Sequence, residues 1–319
     1  MPTPPYWSEK EKDGYINANT RWIDLPDRGH AFLGTPTSGP GPYPAMIIGH
    51  ERYGLVLDSL DLVAMLAAYG YAAIAPDMAP DFPGDREAMH KGEVPGGWDR
   101  ETIETYMAHS YDYLASMPEV DSTRISAIGF CASGGWGWIC NSVRPGLCAS
   151  ICYYGGGEYN EALMAQVNRP TLFVYGEKDH GHPIEQVFRF RDEAEKHNKN
   201  IEVRLVKDMP HGYLNDTMVG RYRQKEAQEA WEQIFDFLGR VHSEYFTPGR
   251  VKQRFEAEFS RDYDFGMNVP WGEKDYPEPS SNRMGQLKKA VAEGRAPRSE
   301  LDAQIALYPE YYALHPEQK

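Results

Sequence analysis

The residues Arg124-Ile125-Ser126-Ala127-Ile128-Gly129-Phe130-Cys131-Ala132-Ser133-Gly134-Gly135 read as a buried strand that runs straight into a sharp turn, with a helix resuming over Trp136 to Cys140. A nucleophile carried on such a turn needs small residues two positions before and after it, because the turn presses those positions against neighbouring backbone. Gly129 and Ser133 meet that need around Cys131. A thiol suits the place: a helix N-terminus favours the thiolate, and the first amide after it, that of Ala132, can hold a developing oxyanion. Ser133 is the rival nucleophile, flanked by the small residues Cys131 and Gly135, but that frame carries the reactive side chain into the helix.

Outward from this stretch the same alternation recurs. Ala45 to His50 is a short apolar run after a Gly/Pro-rich turn and reads as a strand; Ser59 to Tyr69 follows as a helix with Leu62, Met65, Leu66 and Tyr69 on one face and Gly70 as its stop. Tyr71 to Ala75 is a second strand, and Arg100 to Met117 a helix leading into the nucleophile strand. Ala149 to Tyr154, Thr171 to Tyr175 and Ile201 to Val206 read as further strands. Ile184 to His197 and Met218 to Val241 read as helices, the latter with Trp231, Ile234, Phe235, Leu238 and Val241 as its buried stripe. Buried strands alternating with amphipathic helices predict an α/β fold, a mostly parallel sheet covered on both faces. Ligands of such sheets sit beyond the carboxyl ends of the strands. Asp81 to Trp98, rich in Gly, Pro and charge, reads as an excursion above the sheet.

Beyond Tyr245 the texture turns to charge punctuated by Pro248, Pro270, Pro277, Pro279 and Pro297, which does not read as another βαβ unit. Two regions are therefore expected: residues 1–244 as the α/β domain with a short N-terminal arm, and 245–319 as a partly helical extension draped on the core or on a neighbouring subunit. Scattered aromatics (Phe246, Phe255, Phe259, Tyr263, Phe265, Trp271, Tyr276) would anchor it, and a homodimer in which it takes part is the assembly it suggests.

The 319 residues carry 33 Lys and Arg against 47 Asp and Glu, a formal charge of −14, which argues against nucleic acid or anionic lipid as partner. No basic, apolar leader opens the sequence and no apolar stretch approaches the length of a membrane span, so a cytoplasmic location is expected. Cys131, Cys140, Cys148 and Cys152 form no C-x-x-C pair and read as reduced thiols, three of them small core residues.

A thiol nucleophile needs a base and a group to orient it, ordered nucleophile, acid, histidine along the chain in this kind of fold. After the strand ending at Tyr175 comes Gly176-Glu177-Lys178-Asp179, and after the strand ending at Val206 comes Met209-Pro210-His211-Gly212-Tyr213. Asp179 is preferred to Glu177 as the acid because it lies deeper in its loop. His180 and His182 lack partners at a recognised metal-ligand spacing, so neither metal nor other cofactor is expected.

Gly129-Phe130-Cys131 with Gly134, Asp179 in Gly-Glu-Lys-Asp and His211 in His-Gly-Tyr together resemble the dienelactone hydrolase family. The likeness extends to Glu51-Arg52-Tyr53-Gly54, Tyr69-Gly70-Tyr71 and Ala75-Pro76-Asp77, and covers Ile23 to Val241. It implies an α/β-hydrolase fold and the opening of enol-lactones or related esters by a metal-free Cys131–His211–Asp179 triad through a thioester. It also implies that Glu51 receives the thiol proton and gates thiolate formation, and that the amides of Arg52 and Ala132 form the oxyanion hole.

Three departures stand out. Ser133 replaces a glycine and adds a hydroxyl beside the reaction centre. Asn215 stands where dienelactone-cleaving members carry an arginine for the substrate carboxylate, so another cation, Arg86, Arg100 or His180, would have to serve. The extension beyond Tyr245 is the third. Tyr53, Trp98, Trp136 and Tyr213 would line a pocket for a small, apolar or ring-bearing ester or lactone. The rival readings are a serine carboxylesterase or peptidase using Ser133, a lyase or acyl transferase on the same fold, and a binding protein with a degenerate site.

Overall fold

The computed structural model describes residues 18–27, 29–155, 161–179, 181, 184–216, 218, 221–243, 253–257, 288, 291–306, 308–316 and 319. In chain order the strands are β1 (Ala18–Asp24), β2 (His30–Pro36), β3 (Tyr43–Gly49), β4 (Ala72–Pro76), β5 (Val120–Phe130), β6 (Ser150–Tyr153), β7 (Thr171–Gly176), β8 (Ile201–Val206) and β9 (Gln253–Ala257). The helices are α1 (Leu57–Ala68), α2 (Arg86–Lys91), α3 (Arg100–Ser116), α4 (Trp136–Val143), α5 (Glu161–Gln166), α6 (Ile184–Lys196), α7 (Gln224–Val241), α8 (Arg298–Ala306) and α9 (Pro309–Leu314). One sheet runs in the order β1-β2-β4-β3-β5-β6-β7-β8-β9. Strands from β4 to β9 pair in parallel, while β2 pairs antiparallel with both β1 and β4.

Side chains that alternate along a strand feed opposite cores. On β3, Met46 and Ile48 join α1 and α7 on one face, whereas Ala45 and Ile47 join α3 and α4 on the other. The far end of that second face is closed by α6, whose Val187 and Phe190 cover Phe173, Val203 and Leu205. Helix α7 buries Trp231, Ile234, Phe235, Leu238 and Val241, the stripe its spacing predicts. Each fully buried aliphatic or phenyl side chain of that stripe contributes about 1.5–3 kcal/mol.

Local signals set the helix ends. After α1, Gly70 adopts φ +91°, and the amides of Gly70 and Tyr71 bond back to the carbonyls of Ala67 and Leu66 at 3.0 Å each. Asp85 and Asp99 cap α2 and α3 by accepting from the amides of Ala88 and Thr102.

Two expectations gain detail and a third needs revision. The expected N-terminal arm contributes β1 as an edge strand, antiparallel to β2, whose exposed pattern carries little apolar signal. The excursion over Asp81 to Trp98 contains α2, with Met89 and His90 buried. The region beyond Tyr245 does add a βαβ unit, since β9 pairs in parallel with β8 after α7, from Ile201 opposite Gln253 to Leu205 opposite Ala257. That pairing is made by main-chain groups and covers an otherwise open sheet edge, so it needs no apolar run in the sequence.

The described residues after 290 pack on their own chain. Leu301, Tyr311 and Tyr312 are buried in the core on the α1 side, Tyr311 stacks on Trp22 of β1 at 6.3 Å, and the Tyr308 hydroxyl bonds Asp61 of α1. Of the aromatics expected to anchor the tail, all but Phe255 lie outside the described residues. Among the described residues, no helix is long and apolar enough to cross a membrane.

Candidate active site

Cys131 follows β5 directly and has φ +53°, a left-handed backbone that a non-glycine residue adopts only where its surroundings impose it. Backbone presses on this turn from two sides. A Cβ on Gly129 would meet the Ser133 carbonyl oxygen at 1.9 Å, and one on Gly155 would meet the Cys131 carbonyl oxygen at 2.0 Å. The turn closes only because both residues lack a side chain.

The Ser133 hydroxyl is used inside this turn. It accepts from the Phe130 amide at 2.9 Å and donates to the Phe130 carbonyl at 3.0 Å, and the residue is completely buried. Its Cβ packs where a side chain on Gly49 of β3 would stand, 2.6 Å from that position. The hydroxyl is thus committed to the Phe130 backbone at the base of the turn.

Parallel pairing aligns the two candidate oxyanion amides. Gly49 of β3 is opposite Gly129 of β5, and Arg52 and Ala132 each stand three residues further on (49 to 52, 129 to 132), at the same end of adjacent strands. The Arg52 side chain reaches away to the carbonyls of Gly92 and Val94, at 3.0 and 3.5 Å.

The acid and base come from the next pair of strands. Gly176 ends β7, where a Cβ would meet the Met209 carbonyl at 2.1 Å, so the loops after β7 and β8 touch. Lys178 N–H donates to that carbonyl at 3.0 Å. Asp179 and His211 are buried, with His211 Nδ1 2.9 Å from Asp179 Oδ2. The other Asp179 oxygen accepts from Gly181 N–H at 2.8 Å. His211 also hydrogen-bonds the Cys131 thiol. With Nδ1 on the carboxylate, Nε2 is the atom left for sulfur. Burial pulls the His211 pKa down, but the charges and hydrogen bonds of Asp179 and Cys131 outweigh it and hold it well above the ordinary histidine value. Glu177, the competing acid, accepts from the Asp208 amide at 2.9 Å instead.

Glu51 is buried beside His211. Its Oε1 lies 3.4 Å from the Tyr154 hydroxyl and 3.5 Å from Asn215 Nδ2, both donors, while its Oε2 is buried without a hydrogen-bond partner among the described residues. Burial pushes its carboxyl above the usual range, against the opposing charges of His211 and Arg221 and those two hydrogen bonds. Asn215 therefore holds Glu51. Tyr53 is half-buried among Glu51, Arg52, Cys131 and Arg221, and burial first, then the Glu51 charge, pushes its phenol up to about 12.

Arg221 is a member of the site that sequence reasoning misses. Helical spacing from Met218 onward places it inside a helix, but α7 begins only at Gln224. Residues ahead of it fold back, with Arg223 N–H donating to Tyr213 O at 3.2 Å and Arg221 Nη1 to His211 O at 3.3 Å. The Arg221 side chain is buried, which lowers its pKa to about 10, and it interacts electrostatically with Tyr53, Glu51, Asp179 and Cys131. A helix pattern that starts six residues too early (218 to 224) hides such a cation, and Gly220 just before it is the available signal.

The remaining candidates scatter. Trp98 and Trp136 meet edge-on at 5.9 Å with the His50 ring packed against both, and Trp98 Nε1 donates to Met78 O at 2.7 Å. Tyr213 is fully buried in the main core, so it does not line an open pocket. Arg86 is exposed at the start of α2, and Arg100 is exposed and paired with Glu104. His180 lies outside the described residues.

Comparison with known proteins bears on the family and the fold. The dienelactone hydrolase family matches residues 30–242. A Yersinia pestis protein named "Putative carboxymethylenebutenolidase" is 27% identical over 225 residues, spanning 65% of this chain and 82% of that protein. A Bradyrhizobium protein named "Probable 2-oxo-3-(5-oxofuran-2-ylidene)propanoate lactonase" is 24% identical over 235 residues, spanning 68% and 92%. The crystal structure of a "Putative Dienelactone Hydrolase" from Klebsiella pneumoniae superposes with a TM-score of 0.62 at 24% identity, over 70% of this chain and 98% of the other. A dienelactone hydrolase-like promiscuous phosphotriesterase from metagenomic libraries gives 0.61 at 20% identity, over 70% and 99%. At these identities the structures speak for the fold, and the family match for descent. The chain belongs to the dienelactone hydrolase family and is an ester- or lactone-cleaving hydrolase of the α/β-hydrolase fold.

Proposed function

We propose that the protein cleaves a carboxylic ester or lactone through a thioester on Cys131. The observation that carries this reading is His211 bonded to Asp179 on one side and to the Cys131 thiol on the other, with the thiol on a left-handed turn. His211 takes the thiol proton, and the sulfur attacks the carbonyl carbon. The oxyanion that forms is held by the amides of Arg52 and Ala132, and the Arg221 charge, which interacts with Cys131, favours the anionic centre. Collapse breaks the carbon–oxygen bond, and the leaving alcohol or enolate takes the proton from His211. Water then gives a proton to His211 and attacks the thioester, releasing the acid and restoring the thiol.

Glu51 stands near His211 with a carboxyl that burial pushes above its usual range, so its carboxylate form is a second acceptor for the thiol proton when substrate arrives. Relatives named for butenolide and oxofuran rings favour an unsaturated lactone, whose enolate leaves easily. The serine alternative is disfavoured because the Ser133 hydroxyl is buried and committed to Phe130 in both directions. All four cysteines are free, which suits a reducing compartment such as the cytoplasm.

The test is intact-mass analysis of wild type, Cys131→Ala and Ser133→Ala after brief exposure to an ester and lactone panel. An acyl adduct on Cys131 is expected, with kcat/KM of Cys131→Ala down by at least about a thousandfold and Ser133→Ala still acylated. Wild-type turnover by Cys131→Ala would refute the thiol route.

A further inference from the structure

The loop that carries Glu51 and Arg52 rests on imidazoles that the reaction itself does not use. His50 is buried, and its Nδ1 lies 2.9 Å from the Glu51 carbonyl oxygen. A carbonyl only accepts, so Nδ1 carries the proton. Burial lowers the His50 pKa to about 4, so the ring is neutral at physiological pH and Nε2 is bare. The Glu51 carbonyl and the Arg52 N–H belong to one trans peptide group and point to opposite sides of it. Fixing the carbonyl on the His50 ring therefore fixes the direction of the Arg52 amide.

His90 of α2 acts likewise further along the same loop. Its Nδ1 is 2.8 Å from the Tyr53 carbonyl oxygen, ahead of Gly54, which has φ +78° and would press an added Cβ to 3.1 Å from the His90 ring. Two imidazole donors thus flank the oxyanion amide.

These rings are backed by a carboxylate and by the C-terminal extension. Asp77, just after β4, is buried; one oxygen accepts from the Ala79 amide at 3.0 Å and the other lies 3.5 Å from His315 Nε2. Burial tends to raise the Asp77 carboxyl, but the neighbouring His315 imidazole and the Ala79 amide keep it below the usual range. His315 follows α9, is itself buried, and lies edge-on to the His90 ring at 5.4 Å and against Tyr311 at 4.6 Å. Among the described residues no three such groups converge as metal ligands would.

We infer that the C-terminal extension serves the reaction at a distance: His315, through Asp77 and His90, holds the His50–Gly54 loop so that the Arg52 amide faces the tetrahedral oxyanion. His315 is a positioning residue, and the inference rests on the thioester route proposed above. The extension then has a catalytic reason to be packed on β1 and α1, where its Tyr308 and Tyr311 dock.

Two reactions of Cys131 separate this from a general structural effect. Acylation by p-nitrophenyl acetate passes through an oxyanion, whereas alkylation by iodoacetamide does not. In full-length His315→Ala, single-turnover acylation should fall roughly ten- to a hundredfold, while the alkylation rate and KM stay within about twofold of wild type. His315→Gln, which keeps a donor for Asp77, should recover most of the loss and guards against a variant that does not fold. Acylation at the wild-type rate in both variants overturns the inference, and so does a parallel fall in acylation and alkylation. Full hydrolysis by Cys131→Ala would instead sink the thioester route, and this inference with it.

Discussion

Lys178 N–H on the Met209 carbonyl and Asp208 N–H on the Glu177 carboxylate stitch the loops after β7 and β8 directly to each other, and one carboxylate, Asp179, then orients His211. The loop after β3 is held differently. Its carbonyls rest on His50 and His90, its Arg52 side chain on Gly92 and Val94, and behind these stand Asp77 and the last turn of the chain. Two parallel strands side by side are enough to assemble an acid and a base, because both groups project from the same end of the sheet. An oxyanion hole needs an amide aimed to within a fraction of an ångström, and under the proposed mechanism that aim is imported from several distant segments. Concentrated support fails at a single residue, while distributed support degrades in steps.

The sharpest way to break the comparison is at Asp179. Asp179→Asn keeps the shape but presents the wrong partner to Nδ1, so kcat/KM should fall by about four orders of magnitude. The same change removes the main charge that outweighs burial at His211. An NMR titration should therefore show the variant imidazole losing its proton at lower pH than in wild type. A loss below about tenfold would mean that the two loops share their burden after all.

The oxyanion loop has a steric counterpart. A Cβ on Gly96 would lie 1.9 Å from the Arg52 carbonyl oxygen, whereas one on Gly97 meets nothing within 4 Å. Gly96→Ala should displace the Arg52–Tyr53 peptide and slow acylation by roughly a hundredfold, and Gly97→Ala should match wild type in the same stopped-flow assay. Equal behaviour of the pair would deny the loop its need for close placement.

The same contrast explains what can be read in the sequence. Cys131, Asp179 and His211 each come just after a buried strand, so local pattern and chain order are enough to single them out, and Gly70 marks the end of α1 by its own backbone preference. Ser133 and Asn215 stand out as departures, but their roles are not legible. Whether Ser133 turns inward to Phe130, or Asn215 reaches Glu51, depends on side-chain direction in three dimensions. Arg221 is hidden inside an apparent helix, and His315 sits 184 positions after the nucleophile (315 less 131) in a segment whose composition suggests only a tail. Strand β9 escapes because backbone pairing leaves no hydrophobic signature.

Glu51 joins the two regions, since it belongs to the distributed loop yet lies against His211 of the concentrated one. Its carboxyl is raised chiefly by burial, so the folded state holds this proton more tightly than the unfolded chain does. The stability it contributes is fully present below the ordinary glutamate pKa of about 4.3 and is lost as pH rises from there through the folded value. Glu51→Gln has no proton to lose. Its urea midpoint should match wild type near pH ~4 and exceed it increasingly at higher pH, by about 0.5–2 kcal/mol once the wild-type carboxyl would ionise. Acylation should drop only about tenfold, less than removal of a full general base costs. A gain in stability that does not vary with pH would show that the substituted amide merely packs better, and that the buried carboxylate is not where this loop stores its cost.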